Sequence, residues 1–371
     1  MRGDKDYPIA RMRGLYRKRL DGLRAYVEKN GLDGALVINS ENIYYLTGSP
    51  FVIGSSGGKL LYVSREGTDS LILSALDYDE AHDRVKDVEL VKVGWGEKLF
   101  DRLKRVAGKR LAFEENFVSS SLRDSLKKNY ELKPLKGVLE KMRAVKDAGE
   151  VAKIEESQKA AERALEKASK VFKEGMSELE IASELEYNLR REGAESYAFE
   201  CLVASGQRGA YTHGMPTKKK VGGGEPVVMD FGVKVSGYCS DMTRTVFFGK
   251  PKDEMAKIYS VVLESQEAAL RASRPGIKGR ELDAVARRII EGEGYGQYFG
   301  HGLGHGVGIA VHEEPSVRPS AEEELVPWNV VTIEPGIYIP KLGGVRIEDM
   351  VLITEKGSRD LTGFSKELLI F

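Results

Sequence analysis

The spacing of apolar positions changes along the chain, and the changes divide it. Residues 11–30 carry apolar side chains at helical spacing up to Gly31, which predicts a first helix. Ala35–Ile38, Leu60–Val63 and Leu71–Leu73 are short apolar runs of strand type. Glu97–Val106 predicts a helix, Arg110–Phe113 a strand, and Ser120–Lys128 another helix. Strands alternating with helices predict an α/β domain over residues 1–138, with a sheet covered on its faces.

From residue 139 the order is different. After the passage 139–150, the residues Val151, Ile154, Ala161, Leu165, Ala168 and Phe172 recur at helical spacing, and the pattern stops at Gly175. Ser177 and Glu180 make a capping box for a second helix running to about Arg191. Two apolar strands with a turn near Val235–Gly237 follow at 226–248. The order then returns: a helix over about 253–273 broken at Pro275–Gly276, a helix over about 280–291, and a hairpin over 330–352. Two helices and a hairpin, occurring twice, predict an α+β domain over 139–371 with an internal pseudo-twofold repeat. In such a domain the two hairpins meet at the centre.

A chain of 371 residues exceeds the usual size of one core, in keeping with two domains. Its 57 basic and 57 acidic residues cancel, so no bulk charge draws it to nucleic acid or to an anionic membrane. No run of about 18 apolar residues predicts a membrane span, and the basic N-terminal segment lacks an apolar signal core. Cys201 and Cys239 follow no CxxC pattern, which fits a reducing cytoplasm.

Chemistry is concentrated in the second domain. Of five histidines, His301, His305 and His312 stand in one glycine-rich stretch, and His213 lies upstream. Imidazole is a common metal ligand and proton shuttle. The glycines argue against a helix there and predict an extended segment that approaches metal and substrate closely. One of the three histidines should ligate, and the others should face substrate or a developing oxyanion. Asp230 and Asp241 flank the first hairpin turn; their midpoint falls between Val235 and Ser236, so they should stand opposite each other, about 5 Å apart. Glu334 and Glu348 flank the second turn, with their midpoint at Lys341. Like charges paired across strands are destabilising unless a cation lies between them. Four carboxylates and one imidazole suit two divalent ions of the Mn or Co type better than a thiolate zinc site. Arg346 either pairs with Glu348 or orients a ligand carboxylate.

The segments MDFG (229–232), SDMTRT (240–245), GLGHGVG (302–308), IEPGIY (333–338) and RIED (346–349) resemble the pita-bread metallopeptidases, the group of methionine aminopeptidase, aminopeptidase P, prolidase and creatinase. Residues 1–138, with NIYYLTG at 42–48, resemble the creatinase-type N-terminal domain of prolidases and aminopeptidase P. The resemblance implies that Asp230, Asp241, His305, Glu334 and Glu348 hold two divalent ions, Mn or Co before Zn. Asp241 and Glu348 would bridge them. Glu334 is then also the general base, His213 and His312 face the oxyanion or the substrate, and Thr243 supports a bridging carboxylate. His301, Tyr338 and Arg346 serve substrate binding or its surroundings. The implied enzyme is a cytoplasmic homodimer that hydrolyses the Xaa-Pro bond of short proline-containing peptides, foremost dipeptides. One departure matters: Ser316 stands where several prolidases carry an arginine for the dipeptide carboxylate, and Arg318 follows two residues later. The alternatives are an Xaa-Pro aminopeptidase acting on longer peptides, a creatinase-like amidohydrolase working without metal, and a non-catalytic binding module. The intact ligand set speaks against the last two.

Overall fold

The structure, a computed structural model, describes residues 9–49 and 58–371. The first eight residues of the basic N-terminal segment lie outside them. The chain divides into two compact units between Met142 and Arg143. That is slightly after the boundary at 138 expected from the sequence, and it falls within the helix Val138–Ala144.

The first unit holds a six-stranded mixed sheet. Its strands are β1 (Gly34–Val37), β2 (Lys59–Ser64), β3 (Ser70–Ser74), β4 (Glu89–Val93), β5 (Arg110–Phe113) and β6 (Glu131–Pro134), in the order β4-β3-β2-β1-β5-β6. The central strand β1 is buried throughout, antiparallel to β2 and parallel to β5, as an apolar run with covered faces requires. Leu36, Leu60, Ile72, Leu103 and Leu111 form the core. The edge strands β4 and β6 escape the pattern because they bury little, and β6 ends on a proline. The helix Ser40–Thr47, also not predicted, is started by the Asn39 side chain and ended by Gly48 at φ 68°.

The second unit repeats itself. Helices Ala148–Ser169 and Glu178–Arg191 precede the strands Pro226–Phe231 and Met242–Phe247; helices Asp253–Ala272 and Gly279–Gly292 precede Val330–Ile333 and Asp349–Ile353. Each half has its own apolar core, one around Leu165, Leu185 and Phe231, the other around Val262, Leu282 and Ile333. The residue before each second helix, Ser177 or Lys278, makes an isolated antiparallel bridge, to Lys220 and to Glu324. The repeat thus extends to how each helix pair is tied to its loop.

The two hairpins differ in how well their register was read. The second pairs Ile333 with Asp349 and Gly336 with Arg346, so Glu334 and Glu348 fall opposite each other as expected. The first pairs Asp230 with Thr243 and Lys234 with Cys239. Its turn is therefore Ser236–Gly237, one residue later than expected, with both residues at positive φ. Asp241 is diagonal to Asp230 rather than opposite it. A shift of two along one strand keeps both on the same face.

The predicted capping box is present: the Ser177 hydroxyl accepts from the Glu180 N–H, and Glu180 accepts from the Ser177 N–H. Ser177→Ala should cost about 1 kcal/mol in urea unfolding. An unchanged midpoint would show that the helix start is held by other contacts.

Candidate metal centre

The carboxylates are brought together by contact between the two hairpins. The Glu348 N–H donates to the Thr243 carbonyl at 3.2 Å, and the Arg346 N–H to the Thr245 hydroxyl at 3.1 Å. This lays the Asp-bearing strand beside the Glu-bearing one. Pro335 has no N–H to continue the ladder, so the second hairpin breaks into two strand pairs at this point. Glu334 and Glu348 sit at that break.

His305 comes from the short strand Gly304–Gly306, pressed between Glu313–Val317 and Val330–Ile333. A Cβ on Gly304 would lie 2.0 Å from the Thr332 carbonyl oxygen, and one on Gly306 would lie 2.2 Å from that of Glu314. These glycines are therefore needed for close strand packing. The His305 Nδ1 lies 3.1 Å from the Gly306 carbonyl, which fixes a proton there. Its Nε2 then faces the carboxylates, 3.2 Å from Glu334 Oε1 and 3.6 Å from Asp241 Oδ2.

Ligand atoms of Asp241, His305 and Glu348 lie within 4.8 Å of one another. Glu334 joins through His305 and through the Thr332 hydroxyl at 3.2 Å. Asp230 lies against Arg346, whose guanidinium takes its Oδ2. Its other oxygen, Oδ1, is buried without a hydrogen-bond partner among the described residues. A buried carboxylate oxygen without a donor is costly, and a cation would satisfy it.

Arg346 also donates to the Thr243 hydroxyl at 2.9 Å and to Tyr338 Oη at 2.8 Å, while Thr243 donates to Glu348 Oε2 at 2.7 Å. Of the two partners open to it, Arg346 takes Asp230, not Glu348. Tyr338 Oη continues the chain to His301 Nε2 at 2.9 Å. The His312 ring meets His305 edge to face at 4.2 Å, although His312, like His213, is exposed.

Burial, then the neighbouring carboxylates, push Asp241 and Glu348 well above the usual carboxylate range. Burial raises Asp230 as well, against the pull of Arg346. Burial acts the same way on Glu334, but the hydrogen bond and charge of His305 outweigh it and bring it to about 2. Burial would lower the His305 ring; Glu334 reverses that and raises it. The ring of His312 is pushed down, by burial and then by His305. An oxygen-rich, crowded, partly orphaned donor set of this kind fits hard divalent ions.

Among the buried charged side chains that the sequence did not reveal, two stand next to the site. Arg244 is 1% exposed and reaches the carbonyls of Thr243 and Glu348 and the carboxylate of Asp349, behind the site. An arginine inside a strand that is otherwise apolar or Thr was its available signal. Glu313, beside His312, is buried against two cations.

Residues 152–355 match the model of metallopeptidase family M24, and residues 19–145 that of the creatinase/prolidase N-terminal domain. An Xaa-Pro dipeptidase of Pyrococcus furiosus is 38% identical over 95% of this chain and 100% of its own. The crystal structure of the prolidase from Pyrococcus horikoshii OT3 matches with a TM-score of 0.89 at 37% identity, covering 95% of this chain and 100% of that one. An X-Pro aminopeptidase structure from Thermotoga maritima matches with a TM-score of 0.87 at 36% identity, covering 95% and 99%.

The crowding has a measurable consequence. Because the folded values of Asp241 and Glu348 are raised, their contribution to stability is full below the unfolded carboxyl values of about 4 and is lost as pH rises through the folded values. Metal-stripped protein should therefore lose stability towards neutral pH, and added Mn²⁺ should raise its melting temperature more at pH 8 than at pH 5. Asp241→Asn should stay folded, melt without metal at least as high as the wild type at pH 8, and lose the response to Mn²⁺. An equal response of wild type and variant would remove Asp241 from the metal centre.

Proposed function

The chain belongs to metallopeptidase family M24, and on that footing we propose that it hydrolyses the Xaa-Pro bond of dipeptides. Residues 139–371 are read as the catalytic domain and 1–138 as a creatinase-type N-terminal domain. The observation that carries the proposal is the convergence of four carboxylates on His305, with one oxygen of Asp230 left for a cation. The substrate class is supported by what the Pyrococcus furiosus relative is named for.

Asp230, Asp241, His305, Glu334 and Glu348 would hold two divalent ions, Mn or Co in preference to Zn. Such ions, when bound, polarise a carbonyl and acidify a water. Glu334 takes the proton of the attacking water at a carboxylate oxygen and delivers it to the proline nitrogen as the peptide bond breaks. His312 and His213 donate to the oxygen that gains charge. His301, Tyr338 and Arg346 form one hydrogen-bonded chain along the substrate pocket, and its Arg346 end holds Asp230 in orientation.

The reading extends to a cytoplasmic protein. Among the described residues no helix is long and apolar enough to cross a membrane. Cys201 and Cys239 are both buried and neither is in a disulfide, which supports a reducing compartment. The proposed homodimer rests on the family resemblance alone.

Cleavage of longer peptides is the second reading, favoured by Ser316 and by the likeness to the Thermotoga maritima structure. Arg318 bears on the choice. It is exposed, has no ion pair among the described residues, and its Cβ lies 2.7 Å from where a Cβ on Gly302 would stand, one residue from His301. Such a free guanidinium suits a dipeptide's terminal carboxylate. Metal-loaded enzyme should cleave Ala-Pro faster than Ala-Pro-Ala, and Arg318→Ala should raise KM for Ala-Pro about tenfold or more while leaving Ala-Pro-Ala unchanged. Cleavage of the tripeptide alone would make it an aminopeptidase.

A further inference from the structure

The His312 ring makes no hydrogen bond among the described residues; its one ring contact is with His305. With no side-chain hydrogen bond to fix this exposed residue, the backbone of its loop is left to place the ring beside His305. The next residue, Glu313, has a side chain only 4% exposed, paired with Arg143 at 6% and Lys146 at 1%. Lys146 Nζ donates to Glu313 Oε1 at 2.8 Å and Arg143 to Oε2. Arg143 and Lys146 belong to the segment that opens this unit, and the Lys146 N–H is itself fixed on the Trp328 carbonyl at 2.9 Å.

The same carboxylate closes the loop before it. A Cβ on Gly308 would lie 2.2 Å from Glu313 Oε1, so the loop backbone is packed directly on this group. The loop's other end is held by Cys239, whose N–H donates to the Gly308 carbonyl at 2.7 Å and whose thiol donates to the Ile309 carbonyl at 3.4 Å. Cys239 stands two residues before Asp241. The loop 308–313 is thus anchored at one end on the Asp hairpin and at the other on a buried ion triad, with His312 at the anchored end.

Stability is a weak reason for such a triad, because buried charges cost desolvation that well-packed apolar groups avoid. Fixed geometry is a stronger one, since a group misplaced by about 1 Å costs a reaction about 100-fold. We propose that Glu313, clamped by Arg143 and Lys146, is a positioning residue that sets the place of the His312 imidazole over the metal centre. Its effect on turnover rests on the peptidase reading above; its effect on the ring does not.

The test is a double-mutant cycle with a second readout. Glu313→Asp keeps the charge and shortens the reach. It should lower kcat on Ala-Pro about 10- to 100-fold, leave KM within about twofold, and leave bound metal unchanged. In the His312→Ala background it should cost nothing more. In ¹³Cε1-histidine NMR spectra, the His312 signal, assigned by its loss in His312→Ala, should be single in the wild type and broadened or split in Glu313→Asp. If Glu313→Asp does not fold, Lys146→Met, which leaves a neutral Arg143–Glu313 pair, should give the same pattern. Losses that multiply with His312→Ala, or an unperturbed His312 signal, would overturn the proposal. A wild type inactive on both peptides would sink the substrate reading, and the NMR outcome would still decide on the clamp.

Discussion

Four carboxylates gathered around one imidazole, two of them buried and two partly exposed, repel one another when charged, and the surroundings of the site are arranged to hold them there without enough cations among the described residues to neutralise them. Among the described residues only one guanidinium, that of Arg346, enters the group directly, and it takes Asp230. Thr243 donates to Glu348, and His305 faces Asp241 and Glu334. Burial leaves Asp241 and Glu348 holding their protons far more tightly than exposed carboxyls do. Electrostatic strain kept inside a folded core is tolerable when a bound cation relieves it.

The fold supplies the force that holds this arrangement. Each half of the second unit has its own apolar core, against which its hairpin packs. Their meeting is made by backbone groups and threonines, at Thr243 with Glu348 and Thr245 with Arg346. Arg244 passes behind both strands and binds the carbonyls of Thr243 and Glu348, so the Asp and Glu strands cannot separate without stranding a buried charge. Glu313 does the corresponding service for the histidine loop.

Much of this was legible in the sequence because it depends on local periodicity. Helix starts follow from Ser177 and Glu180, the doubled order of helices and hairpins from spacing, and the Glu register from a turn centred on Lys341. The Asp register was missed by one turn residue, since Val235, Ser236 and Gly237 allow two turn placements and only the positive φ of Ser236 and Gly237 selects one. The triad of Arg143, Lys146 and Glu313 was not legible at all: its members are far apart in sequence, and each alone reads as a solvated charge. Edge strands β4 and β6 were missed because they bury too little to leave a pattern.

The site requires two cations on one set of five side chains. Diffraction from crystals grown with Mn²⁺, measured at the manganese absorption edge, tests that directly. Two anomalous peaks about 3.5–4 Å apart, ringed by Asp230, Asp241, His305, Glu334 and Glu348, are the predicted result. No peak among these residues, or manganese bound only elsewhere on the chain, would contradict it.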